Sequence, residues 1–294
     1  MIEIQRYTIR VLYFYPIFEQ TMTNPKISII VSTYNSEDWL RKVLWGFNCQ
    51  TFKDFEVVIA DDGSGPKTKE LLEQMGKEVF YPIVHVWQED EGFQKSRILN
   101  KAVVACNSEY IIMTDGDCIP REDFVEVHYI NKAKGFFISG GYYMLPMNIS
   151  QIISKEDIEK QNCFNIQWLK SNGIAKTFKN NKLTAKGFIS KLFNKLTPTN
   201  ASWNGHNSSG WKNDILEVNG FDERMQYGGQ DRELGERLFN LGIRSKQLRY
   251  SAVCVHLDHK RGYKTPESIA KNVAIRKEVK KKGSHWTSYG IIKK

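Results

Sequence analysis

The sequence predicts an α/β protein with a mostly parallel sheet flanked by helices. Short apolar runs rich in β-branched residues recur in the first half of the chain and show little alternation, which is typical of strands buried on both faces of a parallel sheet. Between these runs, apolar residues recur at helical spacing. Strands that alternate with helices in this way indicate a parallel sheet covered on both sides.

Each element of this architecture is predicted from its local pattern. The apolar runs indicate strands at residues 26–33, 55–60, 83–87 and 110–114. The helical spacing between them indicates helices at residues 37–48, 68–76 and 94–105. Later in the chain we expect a strand at residues 137–144, a helical and basic stretch at residues 150–200, a helix that opens within residues 227–234 and runs to about residue 241, and a last strand at residues 251–259.

Length and composition are those of a globular domain in a reducing compartment. The chain has 294 residues, of which 41% are hydrophobic, and this is enough to form a sizeable core. Its five cysteines are widely spread without a close pair, which argues against a disulfide framework or a Cys-based zinc site. Residues 11–18 are apolar and aromatic but too few to span a bilayer, and Pro16 interrupts them. We expect an N-terminal arm or strand packed on the domain, with a weak membrane-surface contact as the alternative.

The formal net charge of +9 is concentrated in two segments. Residues 170–195 carry seven Lys and no acid, and residues 276–282 carry five basic residues against one Glu. Such segments suit nucleic acid, an anionic membrane or phosphorylated small molecules, or they form a solvated face without a partner. No nucleic-acid-binding motif is present, so we expect no nucleic-acid partner. Residues 189–195 could lie on a membrane, cover an active site as a lid or pack on the core.

Polar clusters follow three of the predicted strands at their carboxyl ends. The residues are Thr33, Tyr34, Asn35, Asp61, Asp62, Asp115, Gly116 and Asp117. Ligands of parallel sheets bind beyond these ends, so the clusters should converge on one edge. On an extended chain Asp115 and Asp117 point the same way, and a divalent cation would offset their repulsion. A turn is the alternative for these two acids, and helix capping is the alternative for Asp61 and Asp62.

A second polar group lies in the last third of the chain. Gly229 and Gln230 precede Asp231 at a predicted helix start, where the helix dipole stabilises a carboxylate. Asp231 is therefore either an N-cap or a general base at the mouth of a pocket. His256 and His259 end the last predicted strand and are candidate ligands for a metal held by the earlier acids.

Together these motifs resemble the GT-A glycosyltransferases of family 2, and the second half resembles the galactosyltransferase-type C-terminal region of chondroitin-polymerase-like and bacterial polysaccharide enzymes. The resemblance covers residues 26–260. The matching segments are VSTYN at 31–35, VVIADDGS at 57–64, EGFQKSRILN at 91–100, DGD at 115–117, NGFDE at 219–223 and GGQD at 228–231. Ser32 stands where the family commonly has Pro, and Gln230 stands where it usually has Glu.

The resemblance implies which residues hold the donor and the metal. The residues expected at the donor are Thr33, Tyr34, Asn35, Asp61, Asp62, Arg97, Asp115 and Gly116. Asp62 would accept a hydrogen bond from the uracil ring NH, and Arg97 would face the diphosphate. Asp115 and Asp117 form the DxD motif and would hold Mn²⁺ or Mg²⁺. His256 matches the family's late metal ligand, with His259 as the alternative.

On the acceptor side, the resemblance makes Asp231 the catalytic base. Gly229, Gln230, Trp211 and Asn207 are expected to contact the acceptor or the transferred sugar. The implied segments are an N-terminal arm at residues 1–25, a nucleotide-sugar-binding half at 26–130, an acceptor-binding and catalytic half at 131–260, and a basic helical tail at 261–294.

The expected activity is inverting, metal-dependent transfer of a sugar from a UDP-sugar to a hydroxyl of a glycan or lipid-linked acceptor, in surface polysaccharide or lipopolysaccharide synthesis. The expected location is the cytoplasm, with peripheral contact at the inner face of an anionic membrane. Two other classes are weighed against it: a metal-dependent nucleotidyl or phosphoryl transferase, and an inactive glycan-binding module. A nucleotidyl or phosphoryl transferase would require a glycine-rich loop with Lys or Arg near the first strand, and Thr33-Tyr34-Asn35 is not such a loop.

Overall fold

A computed structural model describes residues 10–14, 24–260 and 264–293. Within these ranges nine strands form one sheet. They are β1 (Arg10–Phe14), β2 (Ile27–Thr33), β3 (Phe55–Asp61), β4 (Ile83–Trp87), β5 (Tyr110–Asp115), β6 (Cys118–Pro120), β7 (Phe136–Met144), β8 (Ser208–Trp211) and β9 (Arg244–His256). Their spatial order is β1-β4-β3-β2-β5-β8-β7-β9-β6.

Helices fill the connections between the strands. They are α1 (Glu37–Asn48), α2 (Pro66–Met75), α3 (Lys95–Ala105), α4 (Phe124–Asn131), α5 (Met147–Ile152), α6 (Lys155–Glu159), α7 (Ile166–Ser171), α8 (Asn181–Thr184), α9 (Gly187–Leu196), α10 (Lys212–Glu217), α11 (Gln230–Asn240) and α12 (Pro266–Lys282). Short 3₁₀ turns lie at Asn162–Phe164 and Phe178–Asn180. No helix in the described ranges is long and apolar enough to cross a bilayer.

The predicted α/β class is confirmed, and its centre is the parallel set β4-β3-β2-β5. Every residue of β2 and β3 is buried, which explains the uninterrupted apolar runs. Alternate residues of β2 pack on opposite faces: Ile29 contacts the layer that contains α1 and α2, and Ile30 contacts the layer that contains α3 and α11.

The sheet continues with strands of mixed direction that the sequence did not predict in full, and of these β7 and β9 pair parallel with each other. β8 lies between β5 and β7 and is antiparallel to both. β9 begins at Arg244, seven residues before the predicted start at residue 251, and it ends at His256, so His259 lies beyond the strand rather than at its end. Three-residue β6 pairs with β9 and places Cys118 opposite His256. β5, from the predicted nucleotide-sugar-binding half, pairs with β8, from the predicted acceptor-binding half, so the two halves share one sheet. The division of the chain into a donor half and an acceptor half stays a prediction.

The first and the last described segments both contact the central domain. β1 pairs antiparallel with β4, which confirms a packed strand at residues 10–14. Residues 1–9 and 15–23 of the predicted arm, and 261–263 and 294 of the predicted tail, lie outside the described residues. After α12 the chain returns to Asn219, whose Nδ2 donates hydrogen bonds to the carbonyls of Thr287 and Ile292 at 2.7 and 2.9 Å.

Candidate active site

The three predicted clusters meet at one edge of the sheet. Thr33 is in register with Asp61, and Ser32 is in register with Asp115, so β3, β2 and β5 end side by side. This arrangement follows from parallel pairing, which brings the carboxyl ends of neighbouring strands to the same edge. The residues that follow these strands therefore surround a common space.

Asp61 supports this edge from inside the protein. Its side chain is fully buried, accepts the backbone N–H of Ser64 at 2.8 Å and hydrogen-bonds Nε2 of His85 at 2.8 Å. Both carboxylate oxygens are thus used within the fold. The predicted donor contact of Asp61 is wrong, because the residue shapes the loop after β3 instead of presenting its carboxylate to a ligand.

Asp62 occupies the position next to it, and its carboxylate faces α3. One oxygen accepts from Gln88 Nε2 at 2.6 Å and the other from the backbone N–H of Gln94 at 2.9 Å. Burial raises the pKa of Asp62 to about 6, although these two hydrogen bonds and the charges of Lys95 and Arg97 lower it. Asp62 is consequently a carboxylate that titrates close to neutral pH.

The loop after β2 is fixed by hydrogen bonds to its neighbours. Asn35 has φ of +43°, donates its N–H to Ser64 Oγ and accepts from the N–H of Gly65, both at 2.9 Å. The half-exposed Tyr34 donates its hydroxyl to Asp90 at 2.8 Å. Thr33 Oγ1 is buried without a hydrogen-bond partner among the described residues. Thr33 and Tyr34 thus lie beside Asp62 where a ligand could contact them.

Lys95, which the sequence analysis overlooked, lies at the centre of the acidic residues. Its Nζ donates to Asp115 Oδ1 at 2.6 Å, and Ser32 Oγ donates to the same oxygen at 2.7 Å. Burial alone would raise the pKa of Asp115, but the charge and hydrogen bond of Lys95 and the bond from Ser32 outweigh it and hold the pKa below its usual range. Burial alone would lower the pKa of Lys95, but Asp115, and more weakly Asp117 and Asp231, raise it above its usual range.

Arg97 lies two residues further along α3 and faces another neighbour. Its Nη2 donates to Glu91 at 2.7 Å, and its buried Nε has no hydrogen-bond partner among the described residues. Its charge acts on Asp62. The structure thus puts Lys95 rather than Arg97 in contact with Asp115, and the predicted diphosphate contact of Arg97 remains untested.

Asp117 faces two histidines. Its Oδ1 lies 3.6 Å from Nε2 of His256, and its Oδ2 lies 3.0 Å from Nε2 of His259. The two rings stack with centroids 5.5 Å apart. Both histidines left open by the sequence therefore reach the same carboxylate.

The donor set at Asp117 fits a divalent cation. Nδ1 of His256 lies 2.8 Å from the carbonyl oxygen of Leu257, and Nδ1 of His259 lies 3.0 Å from that of Lys260. Because a carbonyl only accepts, each Nδ1 carries a proton, and the other ring nitrogen, Nε2, is the atom that faces Asp117. In the neutral form of each ring Nε2 carries a lone pair, so the two rings and the carboxylate of Asp117 together offer ligand atoms for a divalent cation.

Cys118 also lies within this group but suits a metal less well. Ligand atoms of Asp117, Cys118 and His256 lie within 4.8 Å of one another. Burial raises the pKa of the Cys118 thiol well above its usual range. Because the thiolate is the form that binds metals, Cys118 is the weakest ligand of the cluster.

Asp231 lies at the start of α11 and is held by two backbone groups. Its Oδ2 accepts the N–H of Gly205 at 3.0 Å, and its Oδ1 accepts the N–H of Arg232 at 2.8 Å. The N-cap of α11 is Gly229, with φ of +87°, so the N-cap alternative for Asp231 is wrong. A Cβ added to Gly205 would lie 3.9 Å from both Asp231 Oδ2 and Lys95 Nζ, which places Asp231 and Lys95 around the same glycine.

Gln230 takes part in the same turn. Its Oε1 accepts the N–H of Gly228 at 3.1 Å, which holds the glycine pair against the start of α11. A Cβ on Gly229 would lie 3.3 Å from Nη1 of Arg276. The predicted sugar contacts of Gly229 and Gln230 remain untested, although both residues lie beside Asp231.

Asn207 is a structural residue, contrary to its predicted role. It is fully buried, donates to the carbonyls of Gly141 and Ala252 at 2.7 and 3.0 Å, and its Oδ1 lies 3.0 Å from Nε2 of His128. With all these groups paired inside the protein, Asn207 holds β7, β8 and β9 together and does not reach an acceptor.

Trp211 lies at the opposite end of the sheet from the acids. It is in register with Tyr110, at the start of β5, whereas Asp115 ends that strand. At about 3.3 Å per residue the separation along β5 is roughly 16 Å. The indole N–H donates to the carbonyl of Ala133 at 2.9 Å. The predicted sugar contact of Trp211 is therefore wrong.

His206 is a second residue near the site that the sequence did not single out. Its ring packs on Tyr142 at 4.5 Å between centroids, and Tyr142 also contacts His256 at 5.8 Å. Burial lowers the pKa of His206 to about 4, although Asp115 raises it. The only sequence signal was its place in the polar stretch before β8.

The sequence is similar to glycosyltransferases of known and unknown specificity. Residues 28–147 match the family described as Glycosyl transferase family 2. The glycosyltransferase GlyA of Streptococcus pneumoniae is 31% identical over 124 residues, which cover 42% of this chain and 17% of GlyA. The chondroitin synthase of Escherichia coli is 24% identical over 269 residues, which cover 85% of this chain and 37% of that protein. The uncharacterized glycosyltransferase YfnE of Bacillus subtilis is also 24% identical, over 85% of this chain and 69% of YfnE.

Solved structures share the fold at low sequence identity. The mannosyltransferase PcManGT from Pyrobaculum calidifontis, in complex with GDP-Man and Mn²⁺, has a TM-score of 0.52 at 18% identity, over 82% of this chain and 59% of that one. S. aureus TarS 1–349 in complex with UDP-GlcNAc has a TM-score of 0.53 at 16% identity, over 81% of this chain and 60% of that one. The chain spans only part of the length of GlyA and of chondroitin synthase, residues 28–147 resemble a family 2 glycosyltransferase domain, and the chain shares the fold of the GT-A glycosyltransferases.

Proposed function

We propose that this protein is a glycosyltransferase that moves a sugar from a UDP-sugar to a hydroxyl of a glycan or lipid-linked acceptor, with inversion at the anomeric carbon and with Mn²⁺ or Mg²⁺ as cofactor. The observation that carries the proposal is one edge of the sheet where Asp117 faces two histidines while Asp115 and Asp231 flank Lys95. The acids and histidines at this edge suit a bound cation, and the lysine suits the negative charge of a nucleoside diphosphate. The process served would be synthesis of surface polysaccharide or lipopolysaccharide.

The nucleoside would lie against the loops after β2 and β3. Thr33 offers a buried hydroxyl that has no hydrogen-bond partner in the described part of the chain, Tyr34 an exposed ring, and Asp62 a carboxylate that can accept from the uracil ring NH. Gln88 and Gln94 fix the orientation of that carboxylate before a ligand arrives. Among the structural relatives, TarS has been solved with UDP and with UDP-GlcNAc, which supports UDP, whereas PcManGT was solved with GDP-Man.

Asp117, His256 and His259 would hold the cation, with Asp115 near them at the end of β5. When bound, the cation supplies positive charge that offsets the charge of the departing diphosphate. Two imidazole ligands favour Mn²⁺ over Mg²⁺, which prefers a shell of oxygens. Lys95 places a second positive charge beside Asp115 whether or not a cation is bound.

Asp231 would accept the proton of the attacking hydroxyl. The N–H of Gly205 donates to Oδ2 and the N–H of Arg232 donates to Oδ1, and these two bonds fix the carboxylate. Each oxygen keeps a lone pair that can accept the proton. Gly205 has no side chain, so the space in front of Asp231 stays open. Asp115 is tied to Lys95 and Asp117 to the histidines, which leaves Asp231 as the base. One base and one displacement give inversion of configuration.

The acceptor and the cellular location extend this proposal. A lipid-linked acceptor would bring the enzyme to the inner face of the cell membrane, as a peripheral protein in contact with the cytoplasm. The lysines of residues 170–195 support such contact, because they are balanced by no acid in that segment.

The proposal is tested by nucleotide release from a panel of UDP-sugars and GDP-mannose, with Mn²⁺, with Mg²⁺ and with EDTA. We expect Mn²⁺-dependent release of UDP, and we expect Asp231→Asn to abolish transfer while it leaves UDP affinity within about twofold, because the base acts only in the transition state. Asp54→Asn, a change in an exposed acid outside the site, is the matched control and should keep full activity. Full transfer by Asp231→Asn would remove the base assignment, and failure to bind any nucleotide with metal would remove the proposal.

A further inference from the structure

Helix α9 is amphipathic with its polar side turned toward the protein. Ser190 Oγ lies 3.3 Å from Oγ of Ser251, and Asn194 donates to the same Oγ at 2.8 Å. The side-chain oxygen of Asn194 also accepts the N–H of Tyr250 at 2.7 Å. These bonds attach α9 to β9 through hydroxyl and amide groups, whereas a surface helix normally packs its apolar side on the core.

The apolar side of α9 faces solvent. Phe188, Ile189, Leu192 and Leu196 are 79%, 54%, 40% and 65% exposed. Positions 188, 192 and 196 are four apart and therefore share one side of the helix. Phe178, which is 71% exposed, contacts α9 through Phe193, with ring centroids 6.2 Å apart. We call these five exposed side chains, Phe178, Phe188, Ile189, Leu192 and Leu196, the docking face.

The segment that carries the docking face is rich in lysine. The exposed lysines of this segment are Lys170, Lys176, Lys179, Lys186, Lys191 and Lys195. None of them forms an ion pair within the described part of the chain. No Asp or Glu occurs anywhere in residues 160–213. The field around the docking face is therefore positive over a long stretch of chain.

We propose that the docking face inserts into the surface of an anionic lipid bilayer. Large apolar side chains on one side of a helix with lysines beside them are the pattern of a helix that lies in a membrane interface, with apolar groups among the acyl chains and cations at the headgroups. A nucleic acid would use the lysines but leave the exposed Phe and Leu side chains in water. A second copy of this chain would bring the same lysines together and repel.

Docking would bring the active site close to the bilayer. Lys182, in the adjoining helix α8, is buried and donates to the carbonyl of Tyr142 at 2.8 Å. Tyr142 packs on His206 and His256 at the catalytic edge. The segment that carries the docking face is thus fixed to the wall of the site. Delivery of a lipid-linked acceptor from the bilayer is the part of this inference that rests on the proposed function.

Vesicle flotation tests the docking directly. Purified full-length protein is mixed with vesicles of phosphatidylcholine alone or with about one third phosphatidylglycerol, and the bound fraction is measured against lipid concentration. We expect binding to the anionic vesicles only. Phe188→Ser with Leu192→Ser should weaken binding at least about tenfold, because two large apolar side chains leave the acyl region. Lys191→Glu with Lys195→Glu should weaken it about fivefold or more per lysine.

Two control substitutions separate docking from general surface effects. Ile130→Ser removes another apolar side chain, 69% exposed, outside the docking face, and Lys67→Glu reverses an exposed lysine on α2. Both should bind vesicles like the unchanged protein. Equal binding by the Phe188/Leu192 variant and the unchanged protein would overturn the proposal, as would binding to an oligonucleotide in place of vesicles, or a dimer that buries α9.

The outcome can be separated from that of the proposed function. Release of UDP from a UDP-sugar without vesicles should be the same in the Phe188/Leu192 variant and the unchanged protein, because the docking face is outside the catalytic edge. Vesicle binding without nucleotide turnover would leave the docking inference standing and remove the proposed activity. Nucleotide turnover without vesicle binding would leave the proposed activity standing and remove the docking inference.

Discussion

The buried ion pair between Glu233 and Arg237 offers a sharp test of how helix α11, which carries Asp231, is held. Both side chains are fully buried. Arg237 donates to the two oxygens of Glu233 at 2.6 and 2.7 Å, and also to the carbonyls of Val218 and Gly220. One guanidinium thus joins α11 to the loop before it.

Replacing Arg237 with Met leaves similar bulk but no donor. A buried carboxylate then lacks its cation and two carbonyls lack their partner, which we expect to lower the free energy of unfolding by about 3–5 kcal/mol. At about 2 °C per kcal/mol for a chain of this size, the Tm falls by roughly 6–10 °C. Urea or thermal unfolding followed by circular dichroism measures both values.

The loss of unfolding free energy caused by Arg237→Met, the stability deficit, should depend on pH. Burial raises the pKa of Glu233, and Arg237 lowers it again, so the substitution raises this pKa further above its unfolded value of about 4.3. A carboxyl with a raised folded pKa loses stability as pH rises through the window between the two values. The Arg237→Met deficit should therefore be larger at pH 8 than at pH 5, and Glu233→Leu with Arg237→Met should recover part of it. A deficit below about 1 kcal/mol, or one equal at both pH values, would refute the reasoning.

Three further predictions concern the site itself. Lys95→Met should lower transfer at least about tenfold, since it removes the cation beside Asp115, whereas Lys95→Arg should keep most of it, as measured by UDP release. His256→Ala and His259→Ala should each weaken Mn²⁺ binding about tenfold or more in calorimetric titration; unchanged affinity in either variant would remove that histidine from the ligand set. Because the pKa of Asp62 is raised to about 6, UDP affinity should fall as pH drops through 6, when the carboxylate becomes protonated and loses acceptor capacity. In Asp62→Asn the UDP affinity should stay constant between pH 5 and 8. If the affinity of this variant falls with pH as it does in the unchanged protein, Asp62 is not the group that titrates.

The parallel strands were predictable because strands that are buried on both faces consist mainly of apolar residues. β2 and β3 are buried at every residue, so apolar runs marked them without ambiguity. The first half of β9 was missed because residues 244–249 are exposed or half-buried and largely polar. β8 has the sequence Ser-Ser-Gly-Trp, which carries no strand signal and forms a strand only because β5 and β7 lie on either side.

The placement of the acids at one edge of the sheet was predictable from the order of strands along the chain. Asp115 and Asp117 follow a parallel strand, so their edge was fixed by topology. Trp211 was assigned to the site for its chemistry, but β8 runs antiparallel to β5 and carries the chain away from the acids. Lys95 and His206 were missed because their importance depends on partners that are distant in sequence.

Lys95 bears on whether the acidic edge needs a metal ion in order to form. Many small metal sites assemble only when the ion arrives, because their clustered anions repel one another in its absence. Here a covalently tethered ammonium group already stands among Asp115, Asp117 and Asp231. The acidic edge can therefore assemble during folding with no ion present. On the proposed function, removal of a bound metal ion would then stop the chemistry reversibly without unfolding the protein.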